Sequence, residues 1–183
     1  MRAKLTILTA ALVLGLGAAA CGEDDEPADS GAETAATATP AETAEASGVE
    51  AIVQGTSKQT DAKPEVPAPQ GDPPSELVIR DIVKGKGPKA TAGDTLTMQY
   101  VGISWSNGQQ FDASWDAGQP FPFQLGAGMV IQGWDQGMEG MRKGGRRLLV
   151  IPPDLGYGPQ GSGPIGPNET LIFVVDLVEI QRG

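Results

Sequence analysis

The sequence predicts an α+β domain, an antiparallel sheet with one short helix packed across it, preceded by a long segment that builds no core. Three observations predict it. Every Phe, Tyr and Trp lies between Tyr100 and Phe173, so the large rings that dominate core burial are confined to the C-terminal part. Within that part, apolar and polar residues alternate with the period of half-buried strands. One run switches to spacings of three and four, the period of a helix. The 183 residues therefore divide into 1–21, 22–75 and a single domain at 76–183, long enough for one ordinary core.

Taken in order, "MRAKLTILTAALVLGLGAAAC" opens with Arg2 and Lys4, continues in an apolar run and closes in small residues before Cys21, the pattern of a secretory signal. The run is short for a transmembrane span. Residues 22–75 are Ala, Thr, Glu, Asp and Pro, with 12 acidic residues against Lys58 and Lys63, and this composition predicts a disordered, self-repelling linker. Its "EDDE" at 23–26 lacks the rigid cage of a specific cation site. The repeated prolines of 63–74 stiffen its last part toward polyproline II.

The domain begins with "LVIRDIVKGKG", where Leu77, Ile79 and Ile82 predict a first strand and Gly85 and Gly87 end it. "TLTMQYVGISW" alternates Leu96, Met98 and Tyr100 with Thr95, Thr97 and Gln99, a second strand. "SNG" at 106–108 then predicts a tight hairpin. In "MVIQGWDQGMEGMRKGG", Ile131, Trp134, Met138 and Met141 form one helical stripe, with Arg142 and Lys143 at the negative end and Gly144 as the stop. "RRLLVIP" and "TLIFVVDLVEIQ" follow as strands, the second apolar enough to be central.

Function classes narrow quickly. A net charge of −10 disfavours nucleic acid, which asks for concentrated positive charge. With no histidine and one cysteine, imidazole triads, the commonest zinc sites and internal disulfides are out of reach. "LGAGMVIQG" at 125–133 lacks the lysine and spacing of a phosphate loop. Arg142, Lys143, Arg146 and Arg147 read as a solvated basic face. What remains is a concentration of rings. "QFDASWDAGQPFPF" at 110–123 holds three of the four phenylalanines, and Phe111, Phe121, Trp134, Tyr157 and Phe173 come from separate elements around one helix. They are either simply core or the lining of a pocket between helix and sheet.

The wording and order of "YVG" at 100–102, "NGQQFDAS" at 107–114, "PFPFQLGAGMVIQGWDQGMEGMRKGGRR" at 120–147, "IPPDLGYG" at 151–158 and "NETLIFVVDLVEI" at 168–180 resemble the FKBP-type peptidyl-prolyl cis-trans isomerases over nearly all of 76–183. The resemblance implies a twisted antiparallel sheet wrapped around one short helix. It implies that Tyr100, Phe111, Asp112, Trp134, Tyr157 and Phe173 act on the X-Pro substrate, that Phe121, Val130, Ile131 and Ile165 complete the binding pocket, and that the Trp134 indole is its floor. It further implies that the Ile131 N–H and the Tyr157 hydroxyl bond the bound peptide. No metal or cofactor is expected, and the protein is expected to be monomeric. Ala117 stands where many members carry an arginine that pairs with the pocket aspartate, and Met129 where glutamate is common.

"LGAAAC" likewise resembles the lipobox of bacterial lipoproteins, with Ala18 where leucine is usual. It implies lipidation of Cys21 and an extracytoplasmic, membrane-anchored protein, the alternative being a secreted one. The expected function is isomerisation of X-Pro bonds in exported polypeptides. The rival is a non-catalytic module that holds proline-containing segments on the same fold.

Overall fold

The computed structural model describes residues 40–183, with side chains from 47 onward. The signal segment, Cys21 and the linker to residue 39 lie outside the described residues. Six strands, β1 Val78–Val83, β2 Thr95–Ser104, β3 Gln110–Ala113, β4 Phe121–Gln124, β5 Arg146–Ile151 and β6 Leu171–Gln181, form one antiparallel sheet. Their order is β1-β5-β6-β2-β3, with β4 also on β2. The long apolar β6 is central, between β5 and β2, as its composition predicts. Leu96 and Met98 of β2 are fully buried on one face. β3 and β4, too short and too rich in Gln, Asp and Pro to show a period, were not predicted.

The hairpin after β2 is looser than a two-residue turn. Of Asn107 and Gly108 only the glycine takes a positive φ, 67°, and its N–H donates to Ser104 O at 2.9 Å. The Asn107 side chain instead accepts from Gln109 N at 2.8 Å.

The predicted helix is present but shorter. α2 spans Gln132–Met138, and Arg142, Lys143 and Gly144 lie beyond it in a separate turn. Trp134, Met138 and, past the helix end, Met141 are buried against the sheet. Gly133 and Gly137 let α2 lie close on β5, since a Cβ there would come within 2.4 Å of Ile151 and 2.7 Å of Leu149.

Alternation along β5 and β6 sends neighbours to opposite faces and builds two cores. Leu149, Ile151, Phe173, Val175 and Leu177 join the helix side. Leu148, Val150, Ile172 and Val174 join Val101, Ile103 and Trp105 on the other. This second core corrects the reading of 22–75 as an uninterrupted disordered linker. Residues Pro40–Gly55 form helix α1, and Val49 and Ile52, 3 % and 0 % exposed, pack into the second core with Val53. Average composition hides this local set of β-branched residues at spacings of three and one. From residue 56 to 75 the chain is extended or turned, crossing the same face.

The basic face is corrected too. Arg146 is fully buried, its Nε and Nη2 donating to the two Asp176 carboxylate oxygens at 2.6 and 2.7 Å. Its Nη1 and Nη2 also donate to Ser57 O and Ala62 O at 2.6 and 2.9 Å. Burial pushes the Asp176 carboxyl up, against the pull of Arg146. Arg147 donates to Asp81 and, at 2.7 Å, to Gly137 O near the C-terminal end of α2, where a cation suits the free carbonyls.

Candidate active site

Rings from β2, β3, β4, α2 and β6 meet at one cavity of about 260 Å³. Trp134, on the first turn of α2 and 4 % exposed, is at its centre. Tyr100 and Phe173 stand edge-on to it at 5.3 Å, with interplanar angles of 85° and 86°, and Phe121 does so at 6.1 Å. Phe111 stands edge-on to Phe173 at 5.5 Å. These edge-to-face contacts favour a fixed ring arrangement over a fluid one. Gly102 is part of the same geometry, because a Cβ there would meet the Phe111 and Phe173 rings at 2.7 and 2.9 Å.

Val130 and Ile131 enter from the loop before α2, and Asp135 shapes that loop. Its carboxylate accepts from Gly126 N at 2.9 Å and Gly128 N at 3.1 Å, so α2 supplies the floor and, one residue on, the anchor of the wall. Tyr157 closes the cavity from a turn between two short 3-10 segments. Phe121 and Tyr157 are each 39 % exposed and Met129 is 69 % exposed, so the mouth of the cavity is open to solvent.

The polar chemistry is sparse. The Tyr100 hydroxyl donates to Asp112 Oδ2 at 2.5 Å. Burial first, and then this bond to Asp112, pushes the Tyr100 hydroxyl well above its ordinary range. Burial and the nearby Asp112 charge push Tyr157 up as well. Neither phenol ionises near neutrality. Among the described residues no cluster of His, Cys, Asp or Glu could hold a metal ion.

Of the ten pocket residues expected from the sequence, nine line this cavity. Ile165 does not. Its loop folds back in an antiparallel bridge with Ser162, and the side chain, 7 % exposed, is tucked into the helix-side core. Met129, noted in the sequence only as a departure from a common glutamate, is the additional lining residue.

An antiparallel sheet with a short helix against it, and a ring-lined cavity whose ionisable groups are one carboxylate and two phenols, is the arrangement these residues build. The family model described as "FKBP-type peptidyl-prolyl cis-trans isomerase" matches residues 87–178. An FK506-binding protein of Streptomyces anulatus is 58 % identical over 120 residues, covering 64 % of this chain and 97 % of that protein. A probable FK506-binding protein of Corynebacterium glutamicum is 45 % identical over 116 residues, covering 63 % and 97 %. The crystal structure of AtFKBP13 shares the fold with a TM-score of 0.55 at 38 % identity, covering 59 % of this chain and 95 % of that one. This chain belongs to the FKBP-type peptidyl-prolyl cis-trans isomerases.

Proposed function

We propose that the 260 Å³ cavity takes the proline of an X-Pro segment onto the Trp134 indole, between Phe111, Phe121 and Phe173. The observation that carries the reading is the convergence of six aromatic residues, from four strands, a helix and a turn, on one open cavity. Rotation about an X-Pro bond breaks no bond and moves no proton, but the planar amide must lose resonance across a barrier of about 18–20 kcal/mol. The twisted amide is less polar than the planar one. A dry, ring-lined site therefore favours the twisted state, which is catalysis by differential binding. In this scheme Asp112 orients the Tyr100 hydroxyl and transfers no proton, while the Ile131 N–H and the Tyr157 hydroxyl hold the peptide backbone.

Turnover of an uncharged X-Pro peptide as a function of pH tests the proposal. Both pocket phenols are pushed up from about 10 and so stay protonated well past neutrality, and the chain has no histidine. We expect kcat/KM to be flat between about pH 5.5 and 8.5, with little solvent deuterium effect. Asp112→Asn is the control. A pH step in the unaltered protein, together with near-total loss of activity in Asp112→Asn, would sink the proton-free mechanism. No turnover at all would leave the non-catalytic binding module.

The clients we propose are exported polypeptides, met outside the cytoplasm by a lipid-anchored enzyme. The supports are the signal-like N-terminus and the position of Cys21 at its end. Among the described residues no helix is long and apolar enough to cross a membrane. Cys21→Ser is expected to release the protein from membranes into the soluble fraction, because the chain has no other thiol. A serine variant that still partitions with detergent would refute the lipid anchor.

A further inference from the structure

Strand β3 carries Phe111 and Asp112 to the cavity, yet it is a poor support on its own. It has four residues, lies at the end of the sheet order and pairs with β2 at three positions with an irregularity among them. Short edge segments with few ladder bonds are among the first parts of a fold to open locally.

In this chain β3 is held from the other side, by residues outside the matched family region. Ala113 and the following Trp115 pack into the second core with Val49, Ile52 and Val53 of α1. Lys63 Nζ lies 2.6 Å from Asp116 Oδ1. The other oxygen of that carboxylate accepts from Gln110 Nε2 at 2.8 Å. One carboxylate therefore ties the extended segment to the first residue of β3 and to the loop just past its last. This pairing, Lys63 first and Gln110 second, also holds the Asp116 carboxyl below its ordinary range. Ahead of β3 the hairpin is tied as well, since Trp105 Nε1 donates to Gly71 O at 3.2 Å. At the turn, a Cβ on Gly108 would sit 3.4 Å from that of Ala68.

We propose that residues 47–72 are a positioning strap for the prolyl pocket, bracing β3 from behind so that Phe111 and Asp112 stay in place, with Lys63 acting through Asp116. The role rests on the reading of the cavity as the X-Pro site. A pre-organised wall lowers the cost of ordering on binding, so losing the brace weakens peptide binding more than it slows the bound complex.

Lys63→Met in the full chain tests it, because it removes only a half-exposed cation. Exposed ion pairs contribute little to global stability, and the melting temperature should move by no more than about 2 °C. Hydrogen exchange over residues 110–116 is expected to quicken about two- to fivefold while β5 and β6 are unchanged. KM for an X-Pro peptide should rise about two- to fivefold, with kcat unchanged within error, and Lys63→Arg should restore both. Unchanged exchange at 110–116, an increase spread equally over β5 and β6, or faster exchange with an unchanged KM would each overturn the strap. If the unaltered chain neither turns over nor binds the peptide, the pocket reading itself falls and the strap role falls with it; if it binds without turnover, Kd replaces KM in the same comparison. If it turns the peptide over and Lys63→Met matches it throughout, the strap alone is wrong.

Discussion

A chain beginning at Glu76 is expected to melt about 10 °C below one beginning at Pro40, a loss on the order of 2–4 kcal/mol. Val49 and Ile52 are almost fully buried on the second face of the sheet, and each contributes about 1.5–3 kcal/mol by burial, offset in part by the entropy of ordering the segment. Their removal also bares Val101, Ile103 and Trp105 and takes two carbonyl acceptors, Ser57 O and Ala62 O, from Arg146. Read from composition alone, the same cut through a disordered linker costs nothing. Thermal unfolding of the two chains separates the alternatives, since equal melting temperatures would mean that α1 and residues 56–75 contribute no net stability.

Trp134→Ala is expected to cost roughly 3–5 kcal/mol of stability and to abolish measurable turnover. The indole is 4 % exposed and meets Tyr100, Phe121, Phe123 and Phe173 edge-on. Its removal opens a void in the helix-side core and takes away the floor of the cavity together. Trp134→Phe keeps a ring and most of the volume, and is expected to fold while binding an X-Pro peptide more weakly. Denaturant unfolding of both variants, with peptide turnover measured on the folded fraction, provides the check. Full kcat/KM in folded Trp134→Ala would remove the indole from the mechanism.

Much of this protein was legible in its sequence, and the legible parts share a cause. The first half of β2 and the Trp134 helix have one face in a core, so their apolar residues recur with the period of the element, whereas β5 and β6, buried on both faces, read as continuous apolar runs. The cavity lining was legible for another reason: its residues stand in motifs whose order and wording mark a family, and nine of the ten named from them line one cavity. Ile165 stands outside the cavity lining because the path of the 158–168 loop depends on backbone pairing between Ser162 and Ile165, which no side-chain pattern announces.

By itself the sequence determined where the large rings lie, that no imidazole chemistry is available, and that the rings come from separate elements around one helix. The tertiary structure alone decided three further matters. It turned Arg146 and Arg147 from a solvated face into buried ties, because their partners Asp176 and Asp81 lie 30 and 66 residues away. It drew Val49 and Ile52 out of an Ala- and Glu-rich run onto the sheet, since an apolar face formed by four strands exists only after those strands have paired. It also set Lys63 beside Asp116, 53 residues on. In each case a local pattern states what a residue can do, and a contact distant along the chain decides what it does, because burial and ion pairing depend on neighbours that only the folded chain brings together.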